Sequence, residues 1–261
     1  MKKRPLGQNF LIDQSIAREI VRLAGICPGE PVAEIGPGRG ILTQYLLQTA
    51  NPVTALEIDP KLCAELKNKF SHRDNFRLIE ADATRFDFSS LGPRFKIVSN
   101  LPYYAATHIV KRLIDYRDRI ADMTVMLQKE VVDRFIAHPG QKEYGSLSVF
   151  VQFHCHVERL LEINKTAFDP PPKIESSLIK LTPLAAPRVK VEDTGTFFEV
   201  VHAAFCHKRK MLKNNLKVWE NRFEQKNGTT HLAGIDLSRR GETLSLEDFA
   251  QLSNFIQAHH D

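Results

Sequence analysis

Between residues 30 and 130, short apolar runs alternate with longer amphipathic stretches, the pattern of parallel strands joined by helices. The runs Pro31–Ile35, Val53–Ile58, Phe76–Ile79, Phe95–Ser99 and Met123–Leu127 are predicted as five strands. Ile41–Gln48 and Pro60–Phe70 between them have helical periodicity, with Pro60 at a favourable first helical position. The expectation is an α/β, Rossmann-like, doubly wound sheet. After Gly140 two strand-like runs, Leu147–Leu161 and Ser176–Leu181, flank the cluster Asp169-Pro170-Pro171-Pro172 and are expected to extend the sheet as an antiparallel edge pair.

A chain of 261 residues allows between one and two domains of about 150 residues each. The Pro-bracketed segment Thr182-Pro183-Leu184-Ala185-Ala186-Pro187 is the best linker, so domains are expected over 1–183 and 184–261. Beyond it, Phe197, Phe198, Val201 and Phe205 mark a helical face, and Ser245-Leu246-Glu247-Asp248 begins a capped helix. A small all-helical C-terminal domain follows. With 43% hydrophobic and 26% charged residues the composition is that of a globular protein, which excludes disorder. Cys27, Cys63, Cys155 and Cys206 form no CxxC pair, so reduced thiols in a cytoplasmic protein are expected, without a zinc ribbon or disulfide framework. The basic start Met1-Lys2-Lys3-Arg4 is interrupted at Gly7-Gln8-Asn9 before any signal-peptide core, and no stretch approaches the ~18 apolar residues that span a bilayer.

The first strand runs into Glu34-Ile35-Gly36-Pro37-Gly38-Arg39-Gly40 and then a helix. Glycines there let the backbone approach a ligand, and the helix start offers free N–H groups, so Gly36 and Gly38 are predicted to hold a nucleotide-like cofactor. Ile41 stands where a dinucleotide fingerprint wants glycine or alanine, and no GK[ST] marks a phosphate loop. Glu57 ends the second strand, placed for ribose hydroxyls, and Asp82 follows the third, placed for an adenine amino group. An acid at a strand end also caps helices; the two acids together with the glycine loop favour the ligand.

The fourth strand ends in Asn100-Leu101-Pro102-Tyr103. The amino nitrogen of a nucleobase is a poor nucleophile because its lone pair is delocalised into the ring. Hydrogen-bond acceptors that favour a pyramidal nitrogen relieve this, and the Asn100 side-chain oxygen and Leu101 carbonyl supply two. Pro102 holds Leu101 extended and removes a competing donor, and Tyr103 stacks on the base.

These motifs, with Gly7-Gln8-Asn9-Phe10-Leu11 and Phe168-Asp169-Pro170-Pro171-Pro172-Lys173-Ile174-Glu175-Ser176-Ser177, make the chain resemble the ribosomal RNA adenine dimethyltransferases. The resemblance implies an S-adenosylmethionine-dependent methyltransferase fold with S-adenosylmethionine as methyl donor and no metal. It implies that Asn9 and Leu11 close over the donor's methionine part, that Asn100 also touches the donor, and that Phe168 forms the second wall of an aromatic clamp with Tyr103. Phe205 to Leu216 and Arg239-Arg240-Gly241-Glu242 look like the housekeeping branch. That branch implies as substrate two adjacent adenosines in the 3′-terminal hairpin loop of 16S rRNA, within a small-subunit precursor, modified by a monomer. The alternative is the antibiotic-resistance branch, which methylates 23S rRNA.

The charge distribution carries a reading of its own. The chain holds 36 Lys and Arg against 31 Asp and Glu, yet the segment from 184 onward is nearly balanced, at 11 against 10. Five of those cations, Lys208, Arg209, Lys210, Lys213 and Lys217, occur with no acid between Phe205 and Trp219, and a helix would put Lys210, Lys213 and Lys217 on one face. They are predicted to bind RNA phosphates. A non-catalytic RNA-binding factor and a small-molecule methyltransferase compete with this reading; intact Asn100, Pro102 and Tyr103 oppose the first and the basic run opposes the second. His154-Cys155-His156 lacks a third metal ligand nearby and is assigned to structure.

Overall fold

In the computed structural model, which describes residues 9–207, 210–217, 219 and 231–259, the alternating region forms the elements its apolar runs predict. First come β1 (Phe10–Leu11) and α1 (Gln14–Ala24), the latter started by Asp13, whose side chain accepts the Ser15 and Ile16 N–H groups, and stopped by Gly25 at φ 58°. There follow β2 (Val32–Ile35), α2 (Thr43–Leu46), β3 (Val53–Glu57), α3 (Pro60–Phe70), β4 (Phe76–Glu80), β5 (Phe95–Asn100), α4 (Ala106–Asp115) and β6 (Ile120–Gln128). Every side chain of β2 and β3 is buried, as in a strand covered on both faces. The helix expected over Ile41–Gln48 is regular only through α2, because Tyr45, Gln48 and Thr49 donate to carbonyls three residues back and tighten the turns around it.

The chain continues through α5 (Lys129–Ile136), α6 (Ser146–His154), β7 (Cys155–Ile163), β8 (Phe168–Asp169), β9 (Ser176–Pro183), α7 (Thr194–Cys206), α8 (Leu212–Asn215), β10 (His231–Leu232), β11 (Ile235–Asp236) and α9 (Leu246–Ala258). Seven strands form one sheet in the order β4-β3-β2-β5-β6-β9-β7. The first five in that order are parallel, and β9 runs antiparallel to β6. Strand order reverses at β2, flanked by β3 and β5, and ligands bind such sheets outside the strand ends at that point.

The single strand expected over Leu147–Leu161 is overturned in its first half, which is α6. Val149 and Phe153, one helical turn apart, are fully buried with Phe197 in one core, where the Phe153 and Phe197 rings stack at 4.7 Å. Only from Cys155 onward does the segment join the sheet. Helix α6 also changes the domain reading. One compact unit combines the described residues up to Val132 with His156–Ala185; the other combines Asp133–Cys155 with the described residues from Ala186 onward. The expected cut at 183/184 lies near one border, but the second unit is not a single C-terminal segment.

In the first unit the core gathers Ile20, Leu46, Val53, Leu66 and Phe168. In the second it gathers Tyr144, Phe153, Phe197, Leu212 and Phe249, and the Tyr144 hydroxyl donates to the Leu244 carbonyl at 2.9 Å. This unit is helical apart from the two-residue ladder β10–β11. Gly241 lets backbone meet backbone there, since a Cβ would lie 2.5 Å from the Ala204 carbonyl oxygen. The basic run is not one helix. Asn215 donates its amide to the carbonyls of Ala204 and His207, capping the end of α7, while Leu212 and Leu216 turn inward. Lys210, Lys213 and Lys217 are exposed; Lys213 lies on α8, Lys217 in a 3-10 turn beyond it and Lys210 in the bend before it, and Lys208 and Arg209 lie outside the described residues. Among the described residues no helix is long and apolar enough to cross a membrane.

Candidate active site

A cleft of about 740 Å³ opens in the first unit beyond the C-terminal ends of β2 to β5. Its lining includes Asn9, Leu11, Gly36, Gly38, Glu57, Asp82, Asn100, Leu101, Pro102 and Tyr103, which brings together every predicted donor-binding residue and four of the five predicted catalytic ones. The glycine loop takes the conformation its residues permit. Gly36 has φ +66° and Gly38 φ +57°; a Cβ on Gly36 would sit 3.4 Å from Pro102 Cδ, and one on Gly38 3.0 Å from the Phe10 ring. The loop is thus pressed between the Asn100–Tyr103 turn and the N-terminal strand.

Glu57, 3% exposed, fixes that loop. One carboxylate oxygen accepts the Gly38 N–H at 3.3 Å, and the other accepts those of Ile58 and Asp59 at 2.9 and 3.0 Å. Burial raises its pKa against these three hydrogen bonds. Asp82 spends one oxygen on the amide and hydroxyl of Thr84, at 2.9 and 2.7 Å, which closes a turn and caps no helix, and it also faces the cleft with Ala81 and Ala83. A carboxylate has acceptor capacity beyond these bonds.

Asn100 closes β5 with its Oδ1 buried and without a hydrogen-bond partner, an unusual condition for a buried acceptor. The Leu101 N–H donates to the Met126 carbonyl at 3.2 Å, and Ala105 N–H donates back to the Pro102 carbonyl, so residues 102–105 form a tight turn. Tyr103 is pinned by a 2.6 Å hydrogen bond between its hydroxyl and that of Ser176, the first residue of β9.

Phe168 does not line the cleft. It pairs with Leu11 across the β1–β8 ladder and is 1% exposed in the first core, so the two-walled clamp is not formed; a strand residue facing inward on a short ladder is packed, not free to stack. Asn9 donates its side-chain amide to the Pro170 carbonyl at 2.6 Å, tying the N-terminal strand to the same loop. The residues the sequence reading missed are Phe10, whose ring lies under the Arg39 guanidinium at 4.5 Å, Tyr104, and Ser176. Phe10 and Ser176 stand inside motifs already noted, but nothing in spacing assigns them these contacts. His154 is buried among Phe150, Phe153 and Phe198, and among the described residues no group of three metal-binding side chains occurs.

Residues 1–258 match the family described as ribosomal RNA adenine dimethylase. The chain is 43% identical over 254 residues to the ribosomal RNA small subunit methyltransferase A of Clostridium botulinum (strain Loch Maree / Type A3), covering 96% of this chain and 92% of that one. It is 44% identical over 268 residues to the protein of the same name from Moorella thermoacetica, covering 98% and 92%. The crystal structure of a dimethyladenosine transferase from Plasmodium falciparum superposes with a TM-score of 0.80 at 25% identity, over 96% of this chain and 98% of that one. The 23S rRNA methyltransferase ErmE shares the fold with a TM-score of 0.69 at 24% identity, over 95% and 100%.

Glu34 also borders the cleft, 1% exposed, with the Thr43 hydroxyl donating to it at 2.6 Å. Burial pushes its carboxyl up to about 8, so it is protonated at neutral pH. An unfolded carboxyl titrates near 4.5, so between there and about 8 the folded protein keeps a proton that the unfolded chain releases. Stability therefore falls as pH rises through this window, at up to about 1.36 kcal/mol per pH unit, and levels off above it. Urea unfolding from pH 5 to 8 should show a shallower loss for Glu34→Gln than for wild type; parallel curves would show that Glu34 is not held neutral.

Proposed function

Because the chain belongs to the ribosomal RNA adenine dimethylase family, we propose that it transfers methyl groups from S-adenosylmethionine to the 6-amino groups of two adjacent adenosines in the 3′-terminal hairpin loop of 16S rRNA. The observation that carries this reading is the buried, unpartnered Asn100 Oδ1 at the lip of the cleft. An orphan acceptor of this kind is costly unless a donor arrives, and an exocyclic amine is such a donor. Beside it stand two acids suited to an adenosine, Glu57 for the ribose hydroxyls and Asp82 for the adenine amino group.

Bound there, S-adenosylmethionine supplies an electrophilic sulfonium methyl. Asn100 and the Leu101 carbonyl accept the two amino hydrogens of the target and hold its nitrogen lone pair toward the donor. Tyr103, steadied by Ser176, stacks on the target base. No protein nucleophile takes part, and the surplus proton leaves the nitrogen after attack, so positioning supplies most of the acceleration. Asn100→Ala should lower kcat about 100-fold or more with a small effect on donor affinity. Glu57→Ala should instead raise the donor Kd, roughly 10- to 100-fold for lost hydrogen bonds to a charged group. Calorimetry with single-turnover kinetics separates the two, and equal losses in both quantities for Asn100→Ala would sink the amine-orienting role.

Small-subunit RNA is favoured over 23S rRNA because relatives named for the small subunit match at 43–44% identity over 96–98% of the chain, whereas ErmE supports the fold alone. The same reading makes the substrate a small-subunit precursor and the enzyme a cytoplasmic monomer. Exposed Lys210, Lys213 and Lys217, with Lys208 and Arg209 beside them in sequence, are assigned to RNA phosphates. Replacing the three described lysines by Glu should weaken RNA binding and reduce its salt dependence by about one unit of slope per lost contact, with donor binding unchanged. Mass analysis of undermethylated small subunits treated with enzyme and donor should find two dimethyladenosines in the 3′-terminal hairpin; methyl incorporated into 23S rRNA instead would overturn the assignment.

A further inference from the structure

Tyr104 is 58% exposed, the most exposed of the large apolar side chains among the described residues, and it lines the cleft. Ile58, directly after Glu57, is 43% exposed and lines the same cleft. Two large apolar groups left open to water at the mouth of one cleft are the expected state of walls that a flat ligand covers.

The backbone indicates which ligand Tyr104 serves. Tyr103 and Tyr104 occupy the two central positions of the turn closed by the Ala105 N–H and the Pro102 carbonyl, and they have different neighbours. Tyr103 is held by Ser176 on β9, which lies beyond β6 on one side of β5. The Tyr104 phenol is close enough to Asp82 and Glu57 for their charges to add to burial in raising its pKa; Glu57 ends β3 and Asp82 follows β4, on the other side of β5. Neighbouring tyrosines thus address opposite halves of the cleft.

We propose that Tyr104 packs its ring on the nucleoside half of the methyl donor, across from Ile58, as a positioning residue that sets donor affinity, leaving Tyr103 to the target base. The assignment rests on the donor reading given above. Aromatic rings stack on bases through their faces, so the ring and not the hydroxyl is the working part.

The test uses S-adenosylhomocysteine, the donor's unreactive product, titrated calorimetrically into the full-length wild type, Tyr104→Ala and Tyr104→Phe, with the Kd of each for a 3′-terminal 16S hairpin measured in parallel. Tyr104→Ala should raise the S-adenosylhomocysteine Kd about tenfold, as expected for a lost base–aromatic stack, while Tyr104→Phe stays within about twofold of wild type and hairpin affinity is unchanged in all three. Thermal unfolding of the unliganded Tyr104→Ala protein should match wild type, since the side chain is exposed. An unchanged S-adenosylhomocysteine Kd in Tyr104→Ala, equal losses in Ala and Phe, or a loss confined to the hairpin would overturn the assignment while leaving the donor reading intact. Failure of the wild type itself to bind S-adenosylhomocysteine would overturn the donor reading first.

Discussion

The hydrogen bonds of the Glu57 carboxylate hold the cleft together. It is buried at the end of β3, yet it reaches back to the Gly38 amide in the loop after β2 and forward to the amides of Ile58 and Asp59. Two loops that leave neighbouring parallel strands are thereby fixed to one charged group. A glycine loop with positive φ at Gly36, Gly38 and Gly40 has many alternative paths, and the carboxylate selects one. Burial disfavours the charge by more than the three N–H groups favour it, so its pKa is raised and further donors would favour the charged form. A ribose edge supplies such donors, which links loop geometry to ligand recognition through a single side chain.

The other wall is built from sequence neighbours of neither loop. The β1–β8 ladder joins residues about 160 positions apart, and Asn9 extends it to the Pro170 carbonyl, a separation of 161. Phe10 then covers Gly38 and carries the Arg39 guanidinium. The ion pair of Arg39 with Asp169, at 3.8 Å and largely exposed, adds little by comparison. Burial of Leu11 and Phe168 in the first core is the stronger anchor, since an aromatic ring and a leucine each contribute about 1.5–3 kcal/mol when fully removed from water.

Much of the cleft was legible because its residues sit at strand ends, and strands of an alternating α/β chain announce themselves by apolar runs. Gly36, Glu57, Asp82 and Asn100 needed only the correct order of elements to converge. What escaped depended on partners distant in sequence. The run of Val149, Phe150, Val151 and Phe153 has the residue types of a strand, and only a core made with α7 turns it into a helix. The basic run read as a helix because no local signal reveals that the Asn215 amide caps α7 from behind. Phe168 read as a stacking wall, while the ladder that buries it is formed with residues near the other end of the chain.

The interrupted course of the second unit has a consequence for how proteins of this architecture can be recombined. Because Asp133–Cys155 belongs with the segment from Ala186 onward, a single cut after β9 would leave α6 in the N-terminal fragment without its core, with Val149 and Phe153 newly wetted. Grafting the second unit of one such protein onto the first unit of another therefore calls for exchanging two segments at once, with three junctions instead of one.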